Sequence, residues 1–480
     1  MKTIIAFSFF VALLCPALCH SKTQPWSLDI YQGKILQVER GSFQVPENRA
    51  NKNTRSLTLF YVRLPALTNK PGNPIVYLAG GPGGSATEAA QWPRMALFQQ
   101  LRQQADVILF DQRGTGLSDQ LNDCQADPTP LFIAPLTIDL LDQFYANALP
   151  RCLKQWESYD LDGYSSIESA TDLVALAKAL DTKKLDLLAI SYGTHLAMAT
   201  AKYHPKILGK LVLASSEGLD QTIKLPRESE TLLQQLEQRW QTAEEHQQSL
   251  ITLMRRVHQQ LAKTPVTVMM KHPHADQQIP VIVSELDVQL ISSWILLKNP
   301  SDQAKLPAFY QTMAAGEFRE AAGYAMQIKA SFGQMNPMAL AMDAKSGVSA
   351  TRWKKVRDEA RTSTLGRSTN LPFPDIAKWL NVKPLADEFR SPLKSKLPAL
   401  FLMGTQDGRT FLAEQQQNAR QFNQSKSILI NGGGHDSFLQ HPEVVNRILQ
   451  FLGDQPINLE SIEIPLPPFV RYHSSEQSAK

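Results

Sequence analysis

Charge of one sign is gathered nowhere in this 480-residue chain. Its 49 basic and 45 acidic residues leave a formal net charge of +4, and no long basic run offers a footprint for nucleic acid. Internal repeats are lacking as well. The long apolar run is confined to the N-terminus, where Lys2 precedes the stretch from Ile4 to Leu14. That stretch falls well short of the ~20 residues needed to cross a bilayer, so no stable membrane insertion is expected. Cysteine is scarce: there are 4, and Cys15 and Cys19 sit in that same N-terminal segment. With 43% hydrophobic and 20% charged residues, the composition excludes a disordered or fibrous protein and suits a large core with a second module.

What is present starts with that leader. Ala17 and Cys19 are small residues placed where a signal peptidase reads them, so residues 1–19 are expected to be a signal peptide, with the mature chain starting near His20. Bulky Leu18 makes a poor context for lipid attachment at Cys19. The mature protein would then be periplasmic or secreted. It would retain Cys124 and Cys152, and in an oxidising compartment a disulfide is the expectation, against two separate buried thiols. Closing a loop of that length is worth roughly 3 kcal/mol.

Strand-like runs from Gly41 to Pro46 and from Ser56 to Leu64, parted by a polar turn, predict an opening hairpin. Apolar runs then alternate with helical stretches: Pro74 to Leu78, Val107 to Phe110, Leu185 to Ile190 and Leu211 to Ala214. This alternation predicts a mostly parallel central sheet flanked by helices. From about Arg227 the chain turns Gln- and Glu-rich, with Leu232, Leu233, Leu236 and Trp240 at helical spacing and a small hairpin from Val266 to Met270 and Val281 to Val283. The strand and helix alternation resumes at Leu397. The expected organisation is a first core segment over 20–218, a mainly helical cap over 219–390 and a second core segment over 391–480, the cap lying over the carboxyl edge of the sheet.

The chemistry centres on Ala189-Ile190-Ser191-Tyr192-Gly193, where a strand ends in a serine and a helix follows at once. That is the outline of a nucleophile elbow, which needs small neighbours because the chain reverses tightly; as an isolated string it would equally suit a structural turn. Serine becomes a nucleophile only beside a base, usually a histidine held by a carboxylate. His435 follows Gly432-Gly433-Gly434 after a strand, and Asp407 lies beyond the preceding strand. Ser191, Asp407 and His435 therefore fall at three strand ends in the chain order such elbows use. Asp436 is a rival acid, but side chains of adjacent residues on an extended loop diverge. Gly80-Gly81-Pro82-Gly83-Gly84-Ser85 follows the first parallel strand, where backbone donors for an oxyanion are needed; the amides of Gly81 and Tyr192 are assigned to it. A phosphate loop is the alternative, yet the Gly-Lys-Ser/Thr ending is missing and Pro82 removes an amide.

These motifs, with Asp111-Gln112-Arg113-Gly114-Thr115-Gly116-Leu117-Ser118, resemble those of the proline iminopeptidase and tripeptidyl aminopeptidase group of α/β-hydrolases, peptidase family S33. The resemblance covers the two core segments and not the cap. It implies an α/β-hydrolase fold, no cofactor, and cleavage near the free N-terminus of peptides. Ala79, where many iminopeptidases carry histidine, resembles the secreted tripeptidyl branch, and Ala189 departs from the usual glycine. A free ammonium would need an acidic receptor; Glu217, between the fourth parallel run and the cap, is the candidate, with an ordinary surface or hinge role as the alternative. Arg113 is expected to brace loops and His195 to be packed. His272 and His274 flank Pro273 without a carboxylate partner, so no metal is expected. Two rivals remain: a carboxylesterase or lipase-like hydrolase with the same triad and an ester substrate, and a non-catalytic binding protein on a hydrolase scaffold.

Overall fold

Apolar runs of four to ten residues that alternate with amphipathic helices cannot each bury both faces alone, and in the computed structural model they assemble into one large sheet. The structure describes residues 23–243, 248–272, 276–458 and 460–472; the expected signal peptide and His274 lie outside the described residues. Ten strands form the sheet: β1 (Gln24–Ile30), β2 (Lys34–Pro46), β3 (Ser56–Leu64), β4 (Ile75–Leu78), β5 (Val107–Phe110), β6 (Leu185–Ser191), β7 (Leu208–Ser216), β8 (Ser395–Gly404), β9 (Phe422–Asn431) and β10 (Ser461–Glu463). Their order is β1-β2-β3-β5-β4-β6-β7-β8-β9-β10. The first three strands and the β3–β5 pair run antiparallel. Every later pairing is parallel.

Strands β4 and β5 are buried at every position, as expected where helices cover both faces of a parallel sheet. The two-residue period sorts their side chains. Val76, Leu78, Ile108 and Phe110 join one apolar cluster with Leu173, Leu176 and Leu196 of the flanking helices. Ile75, Tyr77, Val107 and Leu109 join another with Phe98, Leu101, Val444 and Ile448. The helix that leads into β6 spans Ser166–Ala179, and its N-cap is Ser165, whose hydroxyl accepts from the Glu168 amide.

Between β7 and β8 none of the described residues adds a strand to this sheet. It forms helices, among them Pro226–Thr242, Leu250–Lys263 and Arg319–Phe332, and the antiparallel ribbon Val266–Lys271 with Gln278–Val283. Leu232, Leu233, Leu236 and Trp240 all enter its buried cluster. The same cluster takes in Leu131, Leu141, Leu149 and Trp156 from the connection after β5, so the helical layer is sewn from two separate parts of the chain. A Cys124–Cys152 disulfide, with 5.5 Å between the Cα atoms, fastens that connection to helix Ile138–Gln155. Met335 pairs with Cys124 in a short two-stranded bridge to the later part. Among the described residues no helix is long and apolar enough to cross a membrane.

Candidate active site

The carboxyl ends of adjacent parallel strands form a common edge, and the site residues are spread along it. Ser191 ends β6 and its backbone has φ 55° and ψ −129°, a region that non-glycine residues occupy only under constraint. The constraint is visible: helix Tyr192–Tyr203 starts at the next residue, and a Cβ on Gly193 would lie 2.2 Å from the Leu78 carbonyl oxygen of β4. The turn can close only with glycine there. Because Tyr192 opens that helix, its amide has no carbonyl one turn earlier to bond, which leaves it available as a donor beside Ser191. Gly80 packs against the Ser191 side chain from the neighbouring strand end, at 3.0 Å from a Cβ built on Gly80 to that of Ser191.

His435 and Asp407 come together. His435 Nδ1 lies 3.0 Å and 3.1 Å from the two Asp407 carboxylate oxygens, and both residues are buried. The contact fixes the imidazole with its Nδ1–H toward Asp407 and Nε2 free to take a proton. Asp407 also accepts from the amides of Arg409 (2.8 Å) and Thr410 (2.9 Å) and from the Thr410 hydroxyl (2.6 Å). Burial works against its ionisation, but the charge and hydrogen bond of His435 and the bonds from Thr410 outweigh it and hold the carboxyl below the ordinary carboxylate range. The loop carrying His435 is anchored at two points. Ser215 Oγ donates to its carbonyl 2.5 Å away, and its amide donates to Asn299 Oδ1 at 2.8 Å. Ser216 of β7 is the register partner of Ser191, so this anchor sets the histidine beside the serine's strand end. Asp436 faces away, toward Lys298 Nζ (3.5 Å) and Asn299 Nδ2 (3.3 Å).

The Gly80–Ser85 loop is gathered by one buried carboxylate. Asp111 Oδ1 accepts from the amides of Ala86 (2.7 Å) and Thr87 (3.0 Å) and from Ser85 Oγ (3.0 Å). Its Oδ2 accepts from Thr87 Oγ1 (2.6 Å) and the Leu117 amide (2.9 Å). Arg113, fully buried, forms a two-point bond to Asp172 (2.7 and 2.8 Å) and donates to the carbonyls of Glu47 and Gly163. It braces loops and does not reach the edge. His195 is sealed under the elbow helix between Gly218 O and Ser166 Oγ, both at 3.1 Å, and burial lowers its pKa. Among the described residues no cluster of His, Cys, Asp and Glu suits a metal.

A cavity of 340 Å³ opens beside this edge, with Gly81 and Pro82 in its wall, apolar rings from Tyr145, Trp294, Phe332 and Phe373, and four charged groups: Glu217, Lys224, Asp343 and Arg409. Glu217 is tied to the elbow, since its amide donates to Thr194 Oγ1 (2.7 Å), which donates to the Ser191 carbonyl (2.6 Å). Its carboxylate forms an ion pair with Lys224 Nζ. Asp343, on helix Pro337–Ser346, has no hydrogen bond or ion pair to its carboxyl among the described residues. Burial, followed by the neighbouring Glu217 charge, pushes it up to about 8. The sequence names Ser191, Asp407, His435, the glycine loop and Glu217 as candidates, and the structure pairs His435 with Asp407. Sequence reading missed Asn299, Asp343 and Arg409, which carry no motif of their own. Asp111 stood inside a quoted motif, and its acidic character before a glycine turn was the only sign of its task.

Comparison with known proteins bears on the fold and the family. Residues 73–249 match the family model described as alpha/beta hydrolase fold, and residues 375–458 match the one described as TAP-like protein. The chain belongs to the α/β-hydrolase superfamily. Within it, the second match makes the chain similar to the TAP-like group. It is 28% identical over 181 residues to serine protease Hip1 of Mycobacterium tuberculosis, a match covering 36% of this chain and 35% of that protease. It is 33% identical over 135 residues to 2-hydroxy-6-oxononadienedioate/2-hydroxy-6-oxononatrienedioate hydrolase of Paraburkholderia xenovorans, covering 27% of this chain and 43% of the relative. The chain thus spans about a third of the length of the Hip1 protease it matches. A solved thermophilic esterase from Thermogutta terrifontis overlaps 86% of this chain and 98% of its own at 16% identity, with a TM-score of 0.38.

Proposed function

We propose that this protein is an exported serine aminopeptidase that cleaves short peptides near a free N-terminus through an acyl-enzyme. The observation that carries the reading is the Asp407–His435 contact at the same sheet edge as the strained Ser191 turn. In this reading His435 Nε2 takes the Ser191 hydroxyl proton as Oγ attacks the scissile carbonyl carbon. The amides of Gly81 and Tyr192 donate to the oxygen that gains charge. His435 then returns the proton to the leaving amine, and water, activated by the same base, releases the acyl group. Asp407 keeps the imidazole in the right tautomer and stabilises its charged form.

The free N-terminus is assigned to the acidic side of the cavity, where Glu217 and Asp343 lie together. Lys224 already balances one of these carboxyls, so Asp343 is given the larger share of the ammonium contact. The match to the tripeptidyl aminopeptidase-like family model supports the substrate class. The leader read over residues 1–19 and the disulfide support export.

The test is a library of short peptidyl amides with free and blocked N-termini, run beside short acyl esters, with fluorophosphonate labelling and Ser191→Ala as control. The proposal expects labelling of the wild type alone and turnover of free over blocked amides. Turnover of esters only would assign a carboxylesterase. A folded wild type that neither labels nor turns over would assign a binding protein.

A further inference from the structure

The guanidinium of Arg409 stands out in the cavity wall. Its backbone amide donates to Asp407 at 2.8 Å, so the carboxylate that orients His435 also holds the Arg409 main chain. Its side chain lines the cavity together with Gly81 and Pro82 of the glycine loop. Among the described residues it makes no ion pair and no side-chain hydrogen bond, and its Nη1 is sealed from solvent with no partner. The two nearest negative groups that act on it, Glu217 and Asp407, are committed elsewhere: Glu217 to Lys224, and Asp407 to His435 and Thr410.

Arg409 is half-buried as a residue, but a guanidinium N–H sealed from water without an acceptor leaves a bonding capacity unmet. Lysine can relieve this by losing its proton, whereas arginine keeps its charge in proteins. A ligand anion in the cavity would supply the acceptor that Nη1 lacks. The ion pairing agrees: Lys224 is offset by Glu217, whereas no ion pair offsets Arg409 among the described residues. A planar guanidinium with free N–H groups fits a carboxylate at two points, a geometry that an ammonium does not offer.

We infer that Arg409 is a specificity-determining residue that binds a carboxylate of the substrate within the cavity, so that the preferred substrates are short peptides carrying a carboxylate close to the scissile bond. The carboxylate has two sources, an acidic side chain or the free C-terminus of a very short peptide. The inference rests on the hydrolase reading of Ser191 and His435 and adds the substrate class to it.

The experiment uses the mature protein in two arms. In the first, peptidyl anilides differing only by Glu or Gln next to the cleaved bond are compared; in the second, free tripeptide acids are compared with their C-terminal amides. Wild type should favour the carboxylate member of at least one pair by about tenfold or more in kcat/KM, mainly through KM. Arg409→Gln should bring that ratio to about one, and Arg409→Lys should restore part of it. The arm that shows the preference names the source. Equal rates within both pairs for wild type, or an undiminished ratio in Arg409→Gln, would overturn the assignment.

A second measurement needs no variant. In the wild type, an acidic tripeptide acid should protect Ser191 from fluorophosphonate labelling at lower concentration than its neutral amide counterpart. Equal protection counts against Arg409 as a carboxylate receptor even if Arg409→Gln fails to fold. Absence of labelling altogether would instead refute the serine hydrolase reading beneath it.

Discussion

Two neighbouring stretches of one loop are built on opposite terms. At Asp407 both carboxylate oxygens are bonded, to the imidazole, to two amides and to a hydroxyl. Two residues on, Arg409 has no partner for its guanidinium among the described residues, and across the cavity Asp343 has none for its carboxyl. Asp111 repeats the first pattern under the glycine loop, with five donors on one buried carboxylate. The difference separates two tasks. Groups that hold reacting atoms in place are satisfied within the protein, because preorganisation demands that they not move. The proposed recognition groups are left with unmet bonding capacity, which a bound substrate would satisfy.

The satisfied side should break hardest. His435→Ala and Ser191→Ala should each lower kcat by at least about 10³-fold while the far-UV circular dichroism stays native; near-normal turnover by His435→Ala would mean that another group is the base. Asp111→Ala removes the acceptor for three buried amides and two hydroxyls, and should cost about 3 kcal/mol in urea unfolding together with activity. Loss of activity without loss of stability would show that Asp111 does more than tie the loop. In the helical layer, Cys124→Ser with Cys152→Ser should cost about 3 kcal/mol of stability by opening the loop between them yet leave the kcat of the folded enzyme within about twofold. A larger fall in kcat would show that the layer carries strain to the sheet edge.

The same division explains what could be read in advance. Strand boundaries and the triad candidates were legible because their signals are local: a fully apolar run, a serine at a strand end, a histidine after three glycines. The ribbon at Val266–Lys271 and the strand ending in Ser191 lie where the apolar pattern put them, within a few residues, whereas the expected opening hairpin is β2 with β3, preceded by β1, which no apolar run announced, and β2 begins at Lys34 rather than Gly41. The elbow helix begins at Tyr192, directly after the strained turn at Ser191. The charged groups of the cavity wall left no such trace. Asp343 and Arg409 meet across a cavity although 66 positions separate them in the chain, and nothing in either segment announces the other. The share of the helical layer taken by Leu131, Leu141 and Trp156 was equally hidden, because a buried apolar face looks the same in a sequence whichever layer receives it.

The smallest effect tests the unsatisfied side through pH. Asp343 is raised from the ordinary value of 3.8 to about 8, first by burial and then by Glu217, against the pull of Lys224; Tyr192 is the other titratable group that feels its charge. Between about pH 4 and pH 8 the folded protein keeps a proton here that the unfolded chain has released. The stability this proton contributes is complete below pH 4 and is lost as pH rises through 8. Asp343→Asn removes the titration, so urea melts should show the variant gaining on the wild type by about 1 to 3 kcal/mol between pH 4 and pH 9. Binding should move the other way. For a peptide whose N-terminus bears a quaternary ammonium, a charge that does not titrate, KM of the wild type should fall as Asp343 ionises toward pH 8, whereas the Asn variant should show no such fall. Parallel stability curves would mean that Asp343 is ionised at neutral pH, and a flat wild-type KM would remove it from the ammonium contact and leave Arg409 as the group in the cavity that reads charge.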